Sequence, residues 1–353
     1  MTTHSFDERF ERRLLYTHSL VRTIRVLGEY RGKEELYAQQ IPQALETLRQ
    51  TAVIQSTESS NRIEGVTAPQ QRIRDLVAEK TTPRDRSEQE IAGYRDVLAT
   101  IHANHASMDL SANLVLQLHR DLFRYTAEGG GVWKNVSNTI TEKHANGSER
   151  IRFEPVAPHL VEPAMRDLHV HFSALRERET IDPLLLIPAY VLDFLCIHPF
   201  RDGNGRMARL LTLLLLYQAG YAVGRYISLE KLVEESKETY YDTLKQCSAG
   251  WHEGDHTLLP WTEYLLGVVV AAYRAFEERV GSLTTARGAK TQTVLDTIGA
   301  FAGDFSTSEI QERCPNVSLD LIRRILQEQK KLGAVEPLGR GPQARWRRVR
   351  PAE

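Results

Sequence analysis

The sequence predicts a mainly α-helical protein with one β-hairpin and a helical C-terminal segment that ends in a small ribbon. Apolar residues recur at intervals of three and four through most of the chain, the period of amphipathic helices. Residues 132–154 instead place β-branched and aromatic residues around Asn146 and Gly147, a pair typical of a tight hairpin turn. Residues 291–353 show three short helical patterns and two strand-like segments around a Gly/Pro-rich turn, the outline of a winged helix-turn-helix.

The helical elements follow in order from the N-terminus. Residues 13–30, 34–55 and 87–105 have the helical period, and a further helix at 112–126 ends before a triple glycine. After the hairpin, two strongly apolar segments flank a polar stretch, and a long apolar helix comes later. GSLTTARGAK is small, polar and aperiodic, which predicts a linker. We therefore expect four segments: an N-terminal helical region at 1–110, a helical core at 111–280 with a flap at 132–154, a linker at 281–290 and a winged helix at 291–353.

Composition and charge narrow the class of protein. The chain has 353 residues with a net charge of −1, so no global field attracts nucleic acid or membrane. Residues 287–353 carry 12 Lys and Arg against 8 Asp and Glu, a small basic piece on an acidic body. The three distant cysteines, Cys196, Cys247 and Cys314, exclude a disulfide framework and a CxxC metal site. No apolar run approaches the ~20 residues of a membrane span. These features predict a cytoplasmic protein without a membrane partner.

The polar stretch HPFRDGNGRMAR, residues 198–209, concentrates chemistry in one turn. Pro199 ends the preceding helix at His198, whose ordinary pKa of about 6.5 suits a general base. The Gly-Asn-Gly that follows turns N–H groups inward beside a new helix N-terminus, an arrangement that binds anions. Arg206 and Arg209 lie three residues apart, on one helical face, as a phosphate clamp. Asp202 fits such a site if a Mg²⁺ ion bridges it to the phosphates.

A second interpretation treats this stretch as a polar loop in which Asp202 caps the next helix and the arginines are solvated. It explains the glycines and the aspartate one by one. It does not explain why a base, a metal ligand, an anion nest and paired arginines converge on one turn. The residues by themselves therefore favour nucleotide or phosphate binding.

HPFRDGNGRMAR resembles the signature of the Fic family, His-x-Phe-x-Asp/Glu-Gly-Asn-Gly-Arg-x-x-Arg, at every specified position. The resemblance implies a Fic-fold helical core and the transfer of AMP from ATP to a Ser, Thr or Tyr hydroxyl of a target protein. It implies these roles: His198 as general base, Phe200 as the anchor of the loop, Asp202 as the Mg²⁺ ligand, Gly203, Asn204 and Gly205 as the phosphate cradle, Arg206 at the β-phosphate and Arg209 at the γ-phosphate.

The resemblance extends to the flap and to a later helix. The hairpin stands where the family holds its target peptide by strand addition. The implied target contacts are Val136, Ser137, Asn138, Thr139 and Ile140. ETYYDTLKQ resembles the adenine-contacting segment, which makes Tyr240 and Tyr241 candidates, and Ser248 stands where some relatives have Asn. A tyrosine pair on an amphipathic helix is equally typical of half-buried core, so both interpretations of the pair stay open.

TESSNRIEG, residues 57–65, would by itself indicate a helix end, with Glu64 in the last turn and Gly65 as the cap. Beside a full Fic signature, Ser60, Glu64 and Gly65 resemble the family's inhibitory motif, Ser/Thr-x-x-x-Glu-Gly/Asn. The resemblance implies an ion pair between Glu64 and Arg209 that keeps ATP out of a reactive pose. It also leaves open a reverse reaction that removes AMP from targets.

Partners and alternatives complete the sequence predictions. The expected acceptors are an unidentified target protein and the chain itself. ARWRRVR could be a DNA-contacting wing with 318–331 as recognition helix, although winged helices also bind proteins. The competing function is a DNA-binding regulator whose pocket senses a nucleotide. The sequence leaves the oligomeric state open, a homodimer included. Cys196 is expected to be a buried packing residue, and His169 and His171 to point to different helix faces rather than form a metal pair.

Overall fold

The computed structural model describes residues 5–40, 42–143, 149–285, 289–301, 303–315, 317–339 and 345–349. The chain forms two compact units, one of Met1–Gly32 with Leu48–Arg274 and one of Lys33–Thr47 with Ala275–Glu353. Helices dominate the described residues and the strands are few and short, which confirms the mainly α class. Among the described residues, no helix is long and apolar enough to cross a membrane.

Twelve of the described α-helices belong wholly or partly to the first unit. Several start at the capping residues that the sequence offers, such as Ser111, whose hydroxyl accepts from the Leu114 amide, and Asp182, whose carboxylate accepts from the Leu184 amide. The helices are α1 Phe10–Arg13, α2 His18–Gln40, α3 Pro42–Ile63, α4 Gln70–Val77, α5 Arg86–Asn104, α6 Ala112–Leu122, α7 Pro158–Arg178, α8 Pro183–Ile197, α9 Asn204–Gln218, α10 Leu229–Glu235, α11 Lys237–Ser248 and α12 Leu259–Thr285.

Helices α8 and α9 lie in the core of the first unit and fix both ends of the loop that joins them. Both are apolar and almost entirely buried. Helix α8 ends because His198 adopts a left-handed conformation with φ 51° and Pro199 follows it. Helix α9 begins after Gly203, whose φ of 80° is left-handed. The loop that joins them is therefore held between two buried helices.

The predicted β-hairpin is present and consists of β1, Ile140–Lys143, and β2, Glu149–Phe153. The strands are antiparallel, with Thr141 opposite Ile151 and Ile140 opposite Phe153, so the register shifts between these two pairs. Asn146 and Gly147, the predicted turn, lie outside the described residues.

The second unit contains three further helices and a three-stranded sheet of order β3-β5-β4. Its elements are α13 Ala289–Ala300, β3 Phe305–Ser306, α14 Thr307–Arg313, α15 Leu319–Lys331, β4 Val335–Pro337 and β5 Arg345–Arg348. Its core packs apolar side chains from all of these elements, among them Val294, Phe305, Ile310, Ile325, Val335 and Trp346. Strand β3 was not predicted, because a two-residue strand is too short to show an alternating pattern in the sequence.

The predicted linker at 281–290 differs from the structure. Helix α12 continues to Thr285 and α13 begins at Ala289, whereas residues 286–288 lie outside the described part. Once a helix is nucleated, each added residue gains a backbone hydrogen bond, and α12 extends in this way through Thr285. In β5, Arg347 forms an ion pair with Asp304, which neutralises part of the basic charge. The winged-helix assignment and DNA binding stay predictions.

Candidate active site

A cavity of about 530 Å³ in the first unit brings distant parts of the chain together. His198, which follows α8, and Gly205, at the start of α9, line it, with Glu64, which follows α3. The signature loop is the segment 198–203 between α8 and α9. The flap and α11 supply further lining residues, namely Thr139, Ile140, Thr141, Arg152, Phe153, Tyr240, Tyr241 and Ser248. A larger cavity, of about 820 Å³, is lined mainly by α7, α8 and α9 and contains none of the predicted site residues.

His198 has the environment of a neutral base. Its Nδ1 lies 3.2 Å from the Leu195 carbonyl oxygen, so Nδ1 carries the proton and donates it, and Nε2 is left to accept one. Burial lowers the pKa of His198 to about 4; the positive charges of Lys134 and Arg152 act in the same direction, and Glu64 opposes them. The ring is therefore neutral near pH 7, with its single proton on Nδ1.

Lys134 and Asn138, at the base of the flap, hold the backbone around His198. The Lys134 amide donates to the Pro199 carbonyl at 2.9 Å, and the Lys134 amine donates to the Ile197 carbonyl at 3.3 Å. The amine also donates to Asn138 Oδ1 at 2.8 Å, and Asn138 Nδ2 donates to the Phe200 carbonyl at 3.0 Å. Carbonyls on both sides of the base thus accept hydrogen bonds from the flap. The sequence analysis did not select Lys134. The available signal was that Lys134 is the only charged residue in the segment VWKNV.

The target contacts predicted on the flap divide into three groups. Thr139 and Ile140 line the cavity. Val136 and Ser137 are exposed and do not line it. The Asn138 side chain donates to the Phe200 carbonyl and accepts from the Lys134 amine, and its contact with a target stays a prediction. Only Ile140 of the five belongs to a strand.

Phe200 anchors the loop through a histidine that the sequence did not single out. The buried Phe200 ring stacks on His119 with centroids 3.6 Å apart. The Gly131 amide donates to His119 Nδ1 at 2.9 Å, so Nε2 carries the proton and donates to the Asp202 carbonyl at 3.1 Å. Burial lowers the pKa of His119 to about 4, consistent with this neutral form.

The N-terminus of α9 receives a carboxylate in this structure. A Cβ atom built on Gly205 would lie 2.1 Å from Glu64 Oε1. The Glu64 carboxylate therefore sits against the backbone that the sequence assigns to phosphates. A Cβ on Gly203 would instead lie 2.8 Å from the Phe123 ring, so that glycine is required for packing as well as for its φ.

Arg209 is held by Ser60 and Glu64. Its Nε donates to Ser60 Oγ at 2.8 Å, and one terminal nitrogen donates to both the Ser60 carbonyl and Glu64 Oε1 at 2.8 Å. Burial is the largest single influence on the pKa of Arg209 and lowers it, but the charge and hydrogen bond of Glu64 together with Tyr240 and Tyr94 outweigh burial, so the pKa is raised. Gly65, with φ 80°, follows directly after α3 and Glu64. The ion pair expected from the sequence is present.

Arg206 faces a different direction. It is 1% exposed, forms an ion pair with Glu90, and its guanidinium lies over the Phe123 ring at 5.2 Å. Neither arginine lines the cavity, and the two expected to act as one clamp have different partners: Arg206 pairs with Glu90 and Asp202, and Arg209 pairs with Glu64. Glu90, on α5, was not foreseen because nothing in the sequence near it points to the loop.

The tyrosine pair is split between the two interpretations left open by the sequence. Tyr240 is 4% exposed and packs edge-on against Trp261, as a core residue does, although it also borders the cavity. Tyr241 is half-buried at the cavity wall. Ser248 lines the cavity and donates its hydroxyl to the Lys245 carbonyl at 3.2 Å.

Asp202 is exposed and offers one carboxylate oxygen to a cation. Its Oδ1 accepts from the Gly203 amide at 2.6 Å and lies 3.5 Å from a terminal nitrogen of Arg206, whereas Oδ2 lies 4.0 Å from the exposed Arg86. A single carboxylate with room for waters and phosphates fits Mg²⁺, which rarely uses an all-protein cage. Among the described residues there is no cluster of three or more His, Cys, Asp or Glu that could hold a metal.

These features define a helical domain in which an anion-binding helix N-terminus lies beside a neutral histidine. Residues 109–216 match the Fic/DOC family, so the chain contains a Fic domain. The chain is 32% identical over 99 residues to the protein adenylyltransferase fic-1 of Caenorhabditis elegans and 35% identical over 66 residues to a Fido domain-containing protein of Dictyostelium discoideum. These stretches cover 28% and 19% of the chain, and 18% and 46% of the relatives, so the chain spans less than half of either.

The fold as a whole is similar to that of a solved structure. A Fic family protein from Desulfovibrio desulfuricans aligns with a TM-score of 0.63 at 22% identity, over 97% of this chain and 99% of that one. At this identity the likeness concerns the fold alone.

Proposed function

We propose that this protein is a protein adenylyltransferase that transfers AMP from ATP to a hydroxyl of a target protein, itself included, and that Glu64 restrains it. The observation that carries the proposal is one cavity lined by the neutral His198, by Gly205 and by Glu64, whose carboxylate is paired with Arg209. The signature match and the relative with adenylyltransferase activity in its name support the same chemistry.

In the proposed reaction, His198 Nε2 takes the proton of the acceptor hydroxyl. The hydroxyl oxygen attacks the α-phosphorus in line, the bond to the bridging oxygen breaks, and pyrophosphate leaves. The amides at the start of α9 bind phosphate oxygens, and Arg209 binds the terminal phosphate once Glu64 has left it. Asp202 would hold a Mg²⁺ ion, which when bound neutralises phosphate charge.

The restraint follows from competition for the same positions. The Glu64 carboxylate lies against the backbone of Gly205 and accepts a hydrogen bond from one terminal nitrogen of Arg209. A nucleotide whose phosphates bind at both places must therefore displace this carboxylate. Ser60 holds the other side of the same guanidinium. Removal of Glu64 leaves the Ser60 contacts that orient Arg209 and vacates the phosphate position.

The test is self-labelling with ATP that carries its label on the α-phosphate, compared with label on the γ-phosphate. Glu64→Gly should raise α-label incorporation by about tenfold or more, the effect of relieving about 1.4 kcal/mol of competition. Glu64→Gly combined with His198→Ala should lose it. Glu58→Gly is the matched control because Glu58 lies on α3 but pairs with Arg62.

Mass spectrometry of the Glu64→Gly protein reports the mass of the added group and the acceptor residue together. No rise in labelling of a folded Glu64→Gly protein would refute the restraint. Incorporation of γ-label, or labelling that survives His198→Ala, would refute adenylyl transfer by this base and favour another phosphate chemistry.

A further inference from the structure

The cavity is also lined by a cation that the proposed mechanism does not use. Arg152, on β2, borders the cavity together with His198, Gly205 and Tyr241. It is half-buried, and its Nε is shielded from solvent without a hydrogen-bond partner. Within the part of the chain that the structure describes, its guanidinium forms no ion pair. A cation placed against a cavity wall without a partner is unfavourable unless a ligand pairs with it.

The backbone explains why Arg152 faces inward. Ile140 is opposite Phe153 and Thr141 is opposite Ile151, so Arg152 is the extra residue of a β-bulge. In a regular strand, neighbouring side chains point to opposite faces, yet both Arg152 and Phe153 line the cavity. A bulge turns one side chain out of this alternation, and here it turns the guanidinium toward the cavity.

The charge of Arg152 reaches groups on two other elements. It adds to the burial that lowers the pKa of His198, at the end of α8. It opposes the burial that raises the pKa of Tyr240 and Tyr241, on α11. Arg152 lines the same cavity as the base and the two tyrosines, whereas Arg209 is paired with Glu64.

We propose that Arg152 is an anion-binding residue of the active site and that its ligand is the α-phosphoryl group of the nucleotide. This inference rests on the proposed function, in which the hydroxyl deprotonated by His198 attacks that phosphorus. The group beside His198 is then the α-phosphoryl, and the outer phosphates belong to α9 and Arg209. Arg152 exchanges no proton; its two-pronged donor geometry suits phosphate oxygens and stabilises the charge that develops on them.

The experiment measures binding by calorimetry in the Glu64→Gly protein, with AMP, adenosine and pyrophosphate as separate ligands. Arg152→Gln should weaken AMP binding by about tenfold or more, the loss of a charge-assisted hydrogen bond, and leave adenosine and pyrophosphate unchanged. Arg150→Gln is the matched control, because Arg150 is on the same strand, exposed, and does not line the cavity. Arg152→Lys should recover part of the AMP affinity.

Each other result overturns the inference. Equal losses for AMP and adenosine would assign Arg152 a structural role or a contact with the base. Unchanged AMP binding with a raised KM for a protein target would assign it to a target carboxylate, and the proposed function would stand. Failure of every variant to bind any of the three ligands would remove the proposed function together with this inference.

Discussion

Replacing the buried amine of Lys134 tests how the flap controls the base. Lys134 is 4% exposed, and its amine donates to the Ile197 carbonyl and to Asn138 Oδ1. Lys134→Met keeps the length of the side chain and leaves both acceptors without this donor. An unsatisfied buried polar group costs about 1–3 kcal/mol. Burial also lowers the pKa of Lys134 to about 8, which shows that the charged amine is itself destabilised by its site. These effects oppose each other, so we expect a net loss in urea unfolding that is smaller than the about 1–3 kcal/mol of an unsatisfied group.

The same substitution should alter catalysis in a way that a general loss of stability would not. His198 has φ 51°, a conformation that costs an L-residue roughly 1–2 kcal/mol and persists only where neighbours impose it. Without the bond to Ile197, the base is less well held, so kcat should fall while nucleotide affinity stays the same. Loss of a positive charge near His198 should also raise its pKa from about 4 toward its ordinary value.

The pH profile of self-labelling in the Glu64→Gly protein measures this shift. His198 acts as a base only when neutral, so labelling falls as the pH drops through its pKa. With Lys134→Met this acid limb should move to higher pH, whereas Lys134→Arg keeps the charge and should leave it in place. Arg152 also lowers this pKa and stays unchanged in both variants. This account of Lys134 would be refuted if the acid limb of the Lys134→Met profile did not move. A loss of nucleotide affinity as large as the loss in kcat would refute it as well.

Two further substitutions probe the loop and the helix N-terminus. Phe200→Ala removes a fully buried ring stacked on His119, and we expect a loss of about 3–5 kcal/mol in urea unfolding; a loss below about 1 kcal/mol would show that the loop is anchored elsewhere. Gly205→Ala places a methyl group where Glu64 Oε1 now lies and where phosphates are proposed to bind. It should therefore displace the carboxylate without activating the enzyme, and nucleotide affinity measured by calorimetry should fall in the Glu64→Gly background too. Labelling by Gly205→Ala as strong as by Glu64→Gly would contradict a phosphate position at this backbone.

The predictable part of the site is the part encoded by neighbouring residues. Pro199 and Gly203 marked the end of α8 and the start of α9 because proline and glycine restrict or free the backbone locally. Glu64 could be named in advance because its motif lies in one helical turn. Arg206 shows the limit: it was expected to act with Arg209, three residues away, but it pairs with Glu90, which lies 116 residues away in the sequence.

The sequence by itself determined the mainly helical class, the hairpin and the chemistry of residues 198–209, since periodicity and turn residues act over a few positions. Tertiary structure alone decided which groups meet. Glu64 and Arg209 are 145 residues apart and pair because α3 ends against the N-terminus of α9. Lys134, His119 and the bulged Arg152 became visible only when the flap and α6 packed against the loop. Such contacts depend on packing between segments that are distant in the sequence. A local sequence pattern does not indicate which distant segment will pack against it.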